Sequence, residues 1–276
     1  HYFCPNGKLL ASASDKDNAV KIWEVQSGKL IGTLKAHSGH INDIDFHSDG
    51  VHLVSAGNDE MLYIWNLNAW SIEDSVTKGH KISHAQYSGN AILFHDGKHG
   101  YRYDGKGMGA EPNNMAAHAE DIVGNEKGYA IANGKRIDWN HDGTGYSIVH
   151  DKIITQLRLL GDKIACSDEA GGLAVYSLDG KKLGGVSAHK KEITAFDINL
   201  KKNIAVTTSA DKTTKLWNTN TWTQIGSVQN EEDTKTDVIR AIELSPDGNT
   251  VASSAFSYSL LHRSKTKDNS IKIWNA

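Results

Sequence analysis

The sequence predicts an all-β chain assembled from repeated four-stranded units, and three observations carry that expectation. Glycine is abundant and proline scarce, 26 against 3 in 276 residues, a balance that suits tight turns with positive φ and weakens long helices. Short stretches of alternating polarity are separated by turn signals throughout, and no strong helical period appears. An aromatic position also recurs. It falls at Trp23, Trp65, Tyr103, Trp139, Tyr176, Trp217 and Trp274, with separations of 42, 38, 36, 37, 41 and 57 residues. Those intervals match a repeat of about 40 residues, and an insertion accounts for the last.

The second unit gives the pattern in order. Residues 41–46 (INDIDF) alternate as a half-buried strand, His47-Ser48-Asp49-Gly50 makes a turn, and 51–56 (VHLVSA) form a second strand. Gly57-Asn58-Asp59-Glu60 turns the chain again, 61–67 (MLYIWNL) make the third strand, and 71–76 (SIEDSV) the fourth. The sixth unit repeats this with ITAFDI, IAVTTSA, TTKLWNT and WTQIGSV. Applied along the chain, the register predicts units at about 1–35, 36–77, 78–111, 112–150, 151–187, 188–228 and 229–276.

Within these units the residues resemble the WD-repeat β-propeller family over essentially the whole chain. The resemblance implies one seven-bladed propeller domain of four-stranded antiparallel blades spanning 1–276. It also implies a buried polar tetrad in each blade: His before the first strand, Ser or Thr on the second, Asp in the following turn and Trp on the third. His37, Ser55, Asp59 and Trp65 supply one set, and His189, Thr207, Asp211 and Trp217 supply another at identical spacing. Elsewhere the pattern decays. The first unit keeps Asp17 and Trp23, the fourth keeps His118 and Trp139 but has Asn133-Gly134 where Asp belongs, the third and fifth replace Trp by Tyr, and the seventh keeps Asp268 and Trp274. Trp70 and Trp222 open equivalent fourth strands and read as repeat packing. The first unit lacks most of its first strand and the seventh ends after its third, which predicts an incomplete seam between them. Either the sequence is an excerpt of a longer chain or the ring is seamed differently.

Composition narrows the function classes. The 30 Lys+Arg and 33 Asp+Glu give a net charge of −3, so no overall basic field attracts nucleic acid. No run of about 18 apolar residues spans a bilayer, and the two cysteines, Cys4 and Cys166, fall in different units. No Asn-x-Ser/Thr acceptor occurs, which fits an intracellular protein, cytoplasmic or nuclear.

The resemblance implies a non-catalytic scaffold that binds a protein or peptide, as part of a larger complex, on the face around the channel mouth. Alignment to the intact units sets His40, Asn58, Lys191 and Glu192 on that face. The insertion at 256–267 joins them, with Tyr258, Leu260 and Leu261 as apolar anchors and Arg263, Lys265 and Lys267 as cations. It either grips a partner or pairs with the acidic loop 230–237. Chemistry finds less support. His95-Asp96-Gly97-Lys98-His99 is the densest histidine cluster but sits on a hairpin signal without the four convergent ligands of a closed zinc site, so no metal or cofactor is expected. No nucleophile or phosphate-binding Gly loop stands in a recognised context. An enzyme built on the same scaffold is the alternative, and a nucleic-acid module a third.

Overall fold

The computed structural model describes residues 2–14, 17–96, 99–105, 108–110, 121–125, 127–229, 238–256 and 271–275. It divides into two compact units, His1–Val149 and His150–Ala276.

The first unit holds four antiparallel four-stranded sheets, each a meander of consecutive strands. They are β1 (Tyr2–Phe3), β2 (Leu9–Ser14), β3 (Ala19–Glu24) and β4 (Leu30–Lys35); β5 (Ile41–Phe46), β6 (His52–Gly57), β7 (Met61–Asn66) and β8 (Ser71–Thr77); β9 (His84–Ser88), β10 (Ala91–His95), β11 (Gly100–Tyr103) and β12 (Met108–Ala110); and β13 (Asp121–Asn125), β14 (Gly128–Asn133), β15 (Arg136–His141) and β16 (Thr144–Val149). The second unit adds β17 (Ile154–Leu159), β18 (Lys163–Asp168), β19 (Gly172–Ser177) and β20 (Lys182–Ser187), then β21 (Ile193–Asn199), β22 (Ile204–Ser209), β23 (Thr213–Asn218) and β24 (Thr223–Gln229). Its last sheet has three strands, β25 (Val238–Leu244), β26 (Thr250–Phe256) and β27 (Ile271–Asn275).

The expectation of seven four-stranded blades is therefore corrected to six. Among the described residues six sheets have four strands, and β25, β26 and β27 form a three-stranded sheet that does not make a seventh blade.

Second strands explain why the repeats read as nearly continuous apolar runs. Successive side chains of a strand point to opposite faces, and these strands are covered on both. Leu53 packs with Val20, Ile22, Leu34, Ile44 and Trp65 towards the first blade. The next residue, Val54, packs with Ile64, Ile82, Ile92 and Phe94 towards the third. Ala205 and Val206 divide the same way in the second unit, the former with Phe196 and Trp217 and the latter with Ile242, Leu244 and Val251.

Side chains of the innermost strands stitch neighbouring blades by bonding to backbone. Asp43 accepts the Ala85 N–H at 3.1 Å and Asp45 the Tyr87 N–H at 2.8 Å. Gln86 donates to the Gly124 carbonyl at 2.8 Å, and in the second unit Gln156 donates to Thr194 O at 2.9 Å while Asp197 accepts Leu244 N–H at 2.8 Å. At the outer edges Trp70 and Trp222 adopt left-handed φ values of 53° and 54°. Each indole lies where a Cβ on Gly32 or Gly184 would stand in the preceding blade, so glycine there makes the close approach feasible.

Candidate functional site

In the second blade the four residues picked out by spacing meet in one hydrogen-bonded chain. The Trp65 indole N–H donates to Ser55 Oγ at 2.8 Å, the Ser55 hydroxyl meets His37 Nε2 at 2.8 Å, and His37 Nδ1 donates to Asp59 at 2.9 Å. Asp59 also accepts the Ser38 N–H at 2.9 Å, which ties the entering loop to the turn between β6 and β7. Ser55 is fully buried, and the His37 side chain nearly so. The sixth blade repeats the arrangement: Trp217 to Thr207 at 2.8 Å, Thr207 to His189 Nε2 at 2.8 Å, and His189 Nδ1 to Asp211 at 3.0 Å. Burial works against ionisation of Asp211, yet the Thr213 hydroxyl and the neighbouring His189 hold its carboxyl down at about 2. Burial in turn pushes His189 below its ordinary range, against the pull of Asp211.

The register shows why other blades depart. Trp65 pairs with Leu53 and Trp217 with Ala205, and the tetrad hydroxyl stands two residues further along the second strand. By that rule the first blade presents Ser12, which accepts the Trp23 indole N–H at 2.8 Å. The fourth presents Ala132, since Trp139 pairs with Ala130. Ala132 has no hydroxyl, and the buried Trp139 indole N–H has no partner among the described residues. His118 lies outside those residues. Tyr103 of the third blade turns outward and donates to Asp74 on β8.

The fifth blade carries a polar network that the sequence pattern missed. His150 Nε2 donates to Asp168 at 3.0 Å, and the Tyr176 hydroxyl donates to His150 Nδ1 at 2.7 Å. Cys166 holds the serine position, and burial pushes its thiol up to about 12, so it stays protonated at neutral pH. Asp168 stands where the second blade has Gly57, and a Cβ on Gly57 would come within 2.6 Å of the Asp59 carboxylate. The aspartate thus enters from the strand instead of the turn and reaches the same place. The available signal was His150 four residues before Ile154, as His37 precedes Ile41 and His189 precedes Ile193. A β17–β18 connection two residues shorter than the β5–β6 connection shifts the later spacings.

The two loops that carry the tetrad His and Asp also carry the predicted face residues. His40 and Asn58 are both exposed, and the Asn58 N–H donates to His40 O at 2.8 Å. Asn42 clamps the turn by donating to Asn58 Oδ1 at 2.8 Å and to Ile82 O at 2.7 Å. In the sixth blade Lys191 and Glu192 are exposed, and the Ala210 N–H donates to Glu192 O at 3.2 Å. Tyr258, Leu260, Leu261, Arg263, Lys265 and Lys267, with the acidic segment 230–237, lie outside the described residues.

The hairpin at 95–99 buries one of its histidines. His95 packs beside the His84 ring at 5.7 Å, and burial pushes it down to about 4, whereas His99 faces solvent. His84 in turn meets Asp43 at 2.6 Å. Both cysteines are buried and free. Among the described residues no helix is long and apolar enough to cross a membrane.

Meandering four-stranded sheets pinned by His, Ser or Thr, Asp and Trp define a protein of the propeller class. The family model described as "WD domain, G-beta repeat" matches residues 2–24, 28–66, 180–218 and 226–275. These cover more than half of the chain, and the chain belongs to that family. It is 25% identical over 236 residues to eukaryotic translation initiation factor 3 subunit I of Brugia malayi, covering 78% of this chain and 62% of that protein. It is 35% identical over 72 residues to Lissencephaly-1 homolog 1 of Paramecium tetraurelia, covering 26% of this chain and 18% of that one. The chain thus spans less than two thirds of either relative. Two solved structures share the fold: the β-propeller domain of Cps50 (Swd1) from Myceliophteria thermophila, at TM-score 0.78 and 14% identity over 92% of this chain and 91% of that one, and U3-55K, at 0.81 and 15% over 99% and 93%.

Proposed function

We propose that the chain is a non-catalytic scaffold that binds a protein or peptide partner on its loop face, within a multi-subunit assembly in the cell interior. One observation carries the reading. In both intact blades the loops that lock the interior polar chain present exposed polar groups, His40 and Asn58 in one, Lys191 and Glu192 in the other, on backbone fixed by further hydrogen bonds. A surface fixed before binding loses less entropy on association. The tetrad groups themselves are occupied by one another, which suits them to rigidity instead of chemistry. The relative named as a subunit of a translation initiation factor supports a role inside an assembly. The insertion 256–267, through Tyr258, Leu260, Leu261, Arg263, Lys265 and Lys267, is proposed as a second contact of the same kind.

The test is quantitative capture from the source cell with four baits: wild type, His40→Glu with Asn58→Lys, Lys191→Glu with Glu192→Lys, and a chain with 256–267 replaced by a short Gly-containing turn. A control bait carries Ile72→Ser and Ile225→Ser on the outer strands. Loss of the same partners from the face baits and their retention by the control is the expected result. Equal capture by all five refutes the assignment of the face.

A further inference from the structure

Outside the tetrads, the turn between β5 and β6 gathers two imidazoles and a carboxylate: His47 Nδ1 lies 2.9 Å from Asp49 Oδ2, and His52 Nδ1 lies 2.6 Å from the same oxygen. All three candidate ligand atoms lie within 4.8 Å of one another. The far side of each ring is already engaged. His47 Nε2 faces Asn90 Oδ1 at 3.3 Å, and His52 Nε2 faces Glu73 at 2.9 Å. His47, facing Asn90 through Nε2, keeps its proton there and leaves a lone pair on Nδ1, whereas His52 has a carboxylate at each nitrogen and its hydrogen bond to Asp49 raises it above its ordinary range. The Asp49 N–H donating to His47 Nδ1 at 3.3 Å agrees with that tautomer. Asp49 Oδ1 is occupied by the Val51 and His52 N–H groups at 2.7 and 3.0 Å, so Oδ2 is the oxygen left facing the rings. Two imidazole nitrogens and a carboxylate oxygen thus address one point, where a divalent cation would take the place of the proton that His52 Nδ1 shares with Asp49.

We propose that His47, Asp49 and His52 form a binding site for a divalent transition-metal ion of the zinc type, with water completing the coordination. Imidazole and carboxylate donors suit such ions. Bonds of about 2.0–2.1 Å to a tetrahedral ion place ligand atoms roughly 3.3 Å apart, so the two His–Asp49 separations of 2.9 and 2.6 Å would open by a few tenths of an ångström to admit it. The outer partners, Asn90 and Glu73, supply the hydrogen bonds that orient metal-ligating histidines and make them better donors. His47 also packs edge-on against Tyr87 at 4.8 Å, which restrains its ring. The site is particular to this turn. The matching segment near the end of the chain is Ser245-Pro246-Asp247-Gly248-Asn249-Thr250, with Ser and Thr where this turn has histidines, and there the aspartate takes the Ser245 hydroxyl at 2.5 Å. The sequence signal is His47-x-Asp49-x-x-His52, unnoticed beside the denser cluster at 95–99.

Tag-free protein titrated with Zn2+ against a chromophoric chelator tests the site. Wild type is expected to bind one ion, His47→Gln, Asp49→Asn and His52→Gln to bind it at least tenfold more weakly, and His99→Gln to bind as wild type does. A second reading needs no variant: diethyl pyrocarbonate labelling of wild type, read by mass spectrometry with and without Zn2+. Protection of His47 and His52 with continued labelling of His99 supports the site. Unchanged labelling of His47 and His52, or equal affinity in wild type and the three ligand variants, overturns it.

Discussion

Replacing Ser55 by alanine removes one oxygen from the interior of the second blade, and the chain already holds a natural counterpart. In the fourth blade the same position is Ala132, and the Trp139 indole N–H is buried without an acceptor among the described residues. Ser55 is fully buried and accepts from Trp65 while its hydroxyl meets His37. The substitution therefore strands one buried donor and one buried acceptor. At about 1–3 kcal/mol for each orphaned group, with some relaxation, the expected loss is about 2–4 kcal/mol. Urea unfolding followed by far-UV circular dichroism measures it, since tryptophan fluorescence would report the indole's changed surroundings as well. A double-mutant cycle with Trp65→Phe should return a coupling of about 1 kcal/mol or more, because the indole N–H and the hydroxyl act on each other. A loss below about 0.5 kcal/mol, or no coupling, would refute the reasoning, and Ser55 would then be a small residue chosen for its volume.

Further outcomes follow from the same geometry. Asp59→Ala orphans the His37 ring N–H and the Ser38 N–H and should cost about 1–3 kcal/mol, read as a lower Tm. Gly32→Ala drives a methyl into the Trp70 ring and should destabilise by about 1–3 kcal/mol. Trp70→Gly added to it should recover part of that loss, since it removes the overlap and the left-handed tryptophan together; additive costs in urea unfolding would count against the packing. Burial pushes the Asp45 carboxyl up to about 7, with the Tyr87 N–H pulling it down and Asp43 pushing it further up. The folded chain thus holds that proton more tightly than the unfolded one. The resulting stability is fully present below pH about 4 and is lost as pH rises through about 7. Asp45→Asn keeps an acceptor for Tyr87 and should gain stability over wild type at pH 8 relative to pH 4.5. Comparing the two proteins cancels the opposite titration of His95. A constant difference across that range would contradict the assignment.

Much of the fold was legible because the repeat is written in residues whose positions hydrogen bonding fixes. Trp65 and Trp217 each follow a Ser or Thr by ten residues and an Asp by six, and no slack in those hairpins blurs the count. Tyr176 was legible as an aromatic position but not as a partner of His150. The shorter β17–β18 connection and the transfer of the carboxylate to Asp168 break the interval while preserving the contact. The inter-blade bonds of Asp43, Asp45 and Gln86 leave no mark at all in a single sequence. Their acceptors and donors are backbone groups about forty residues away, and backbone carries no letter. The number of blades was overcounted because every aromatic position was counted as a blade of its own, the last included, although β25–β27 make only the three-stranded sheet that the sequence already suggested there.

Hydrogen exchange of the chain, alone and with a captured partner bound, tests the scaffold reading most directly. The account predicts new protection in the loops at 38–42 and 190–193 and in the turns around Asn58 and Ala210, with the outer strands β8 and β24 exchanging as before. Protection confined to those outer strands, or none in the four loops of the second and sixth blades, would contradict it.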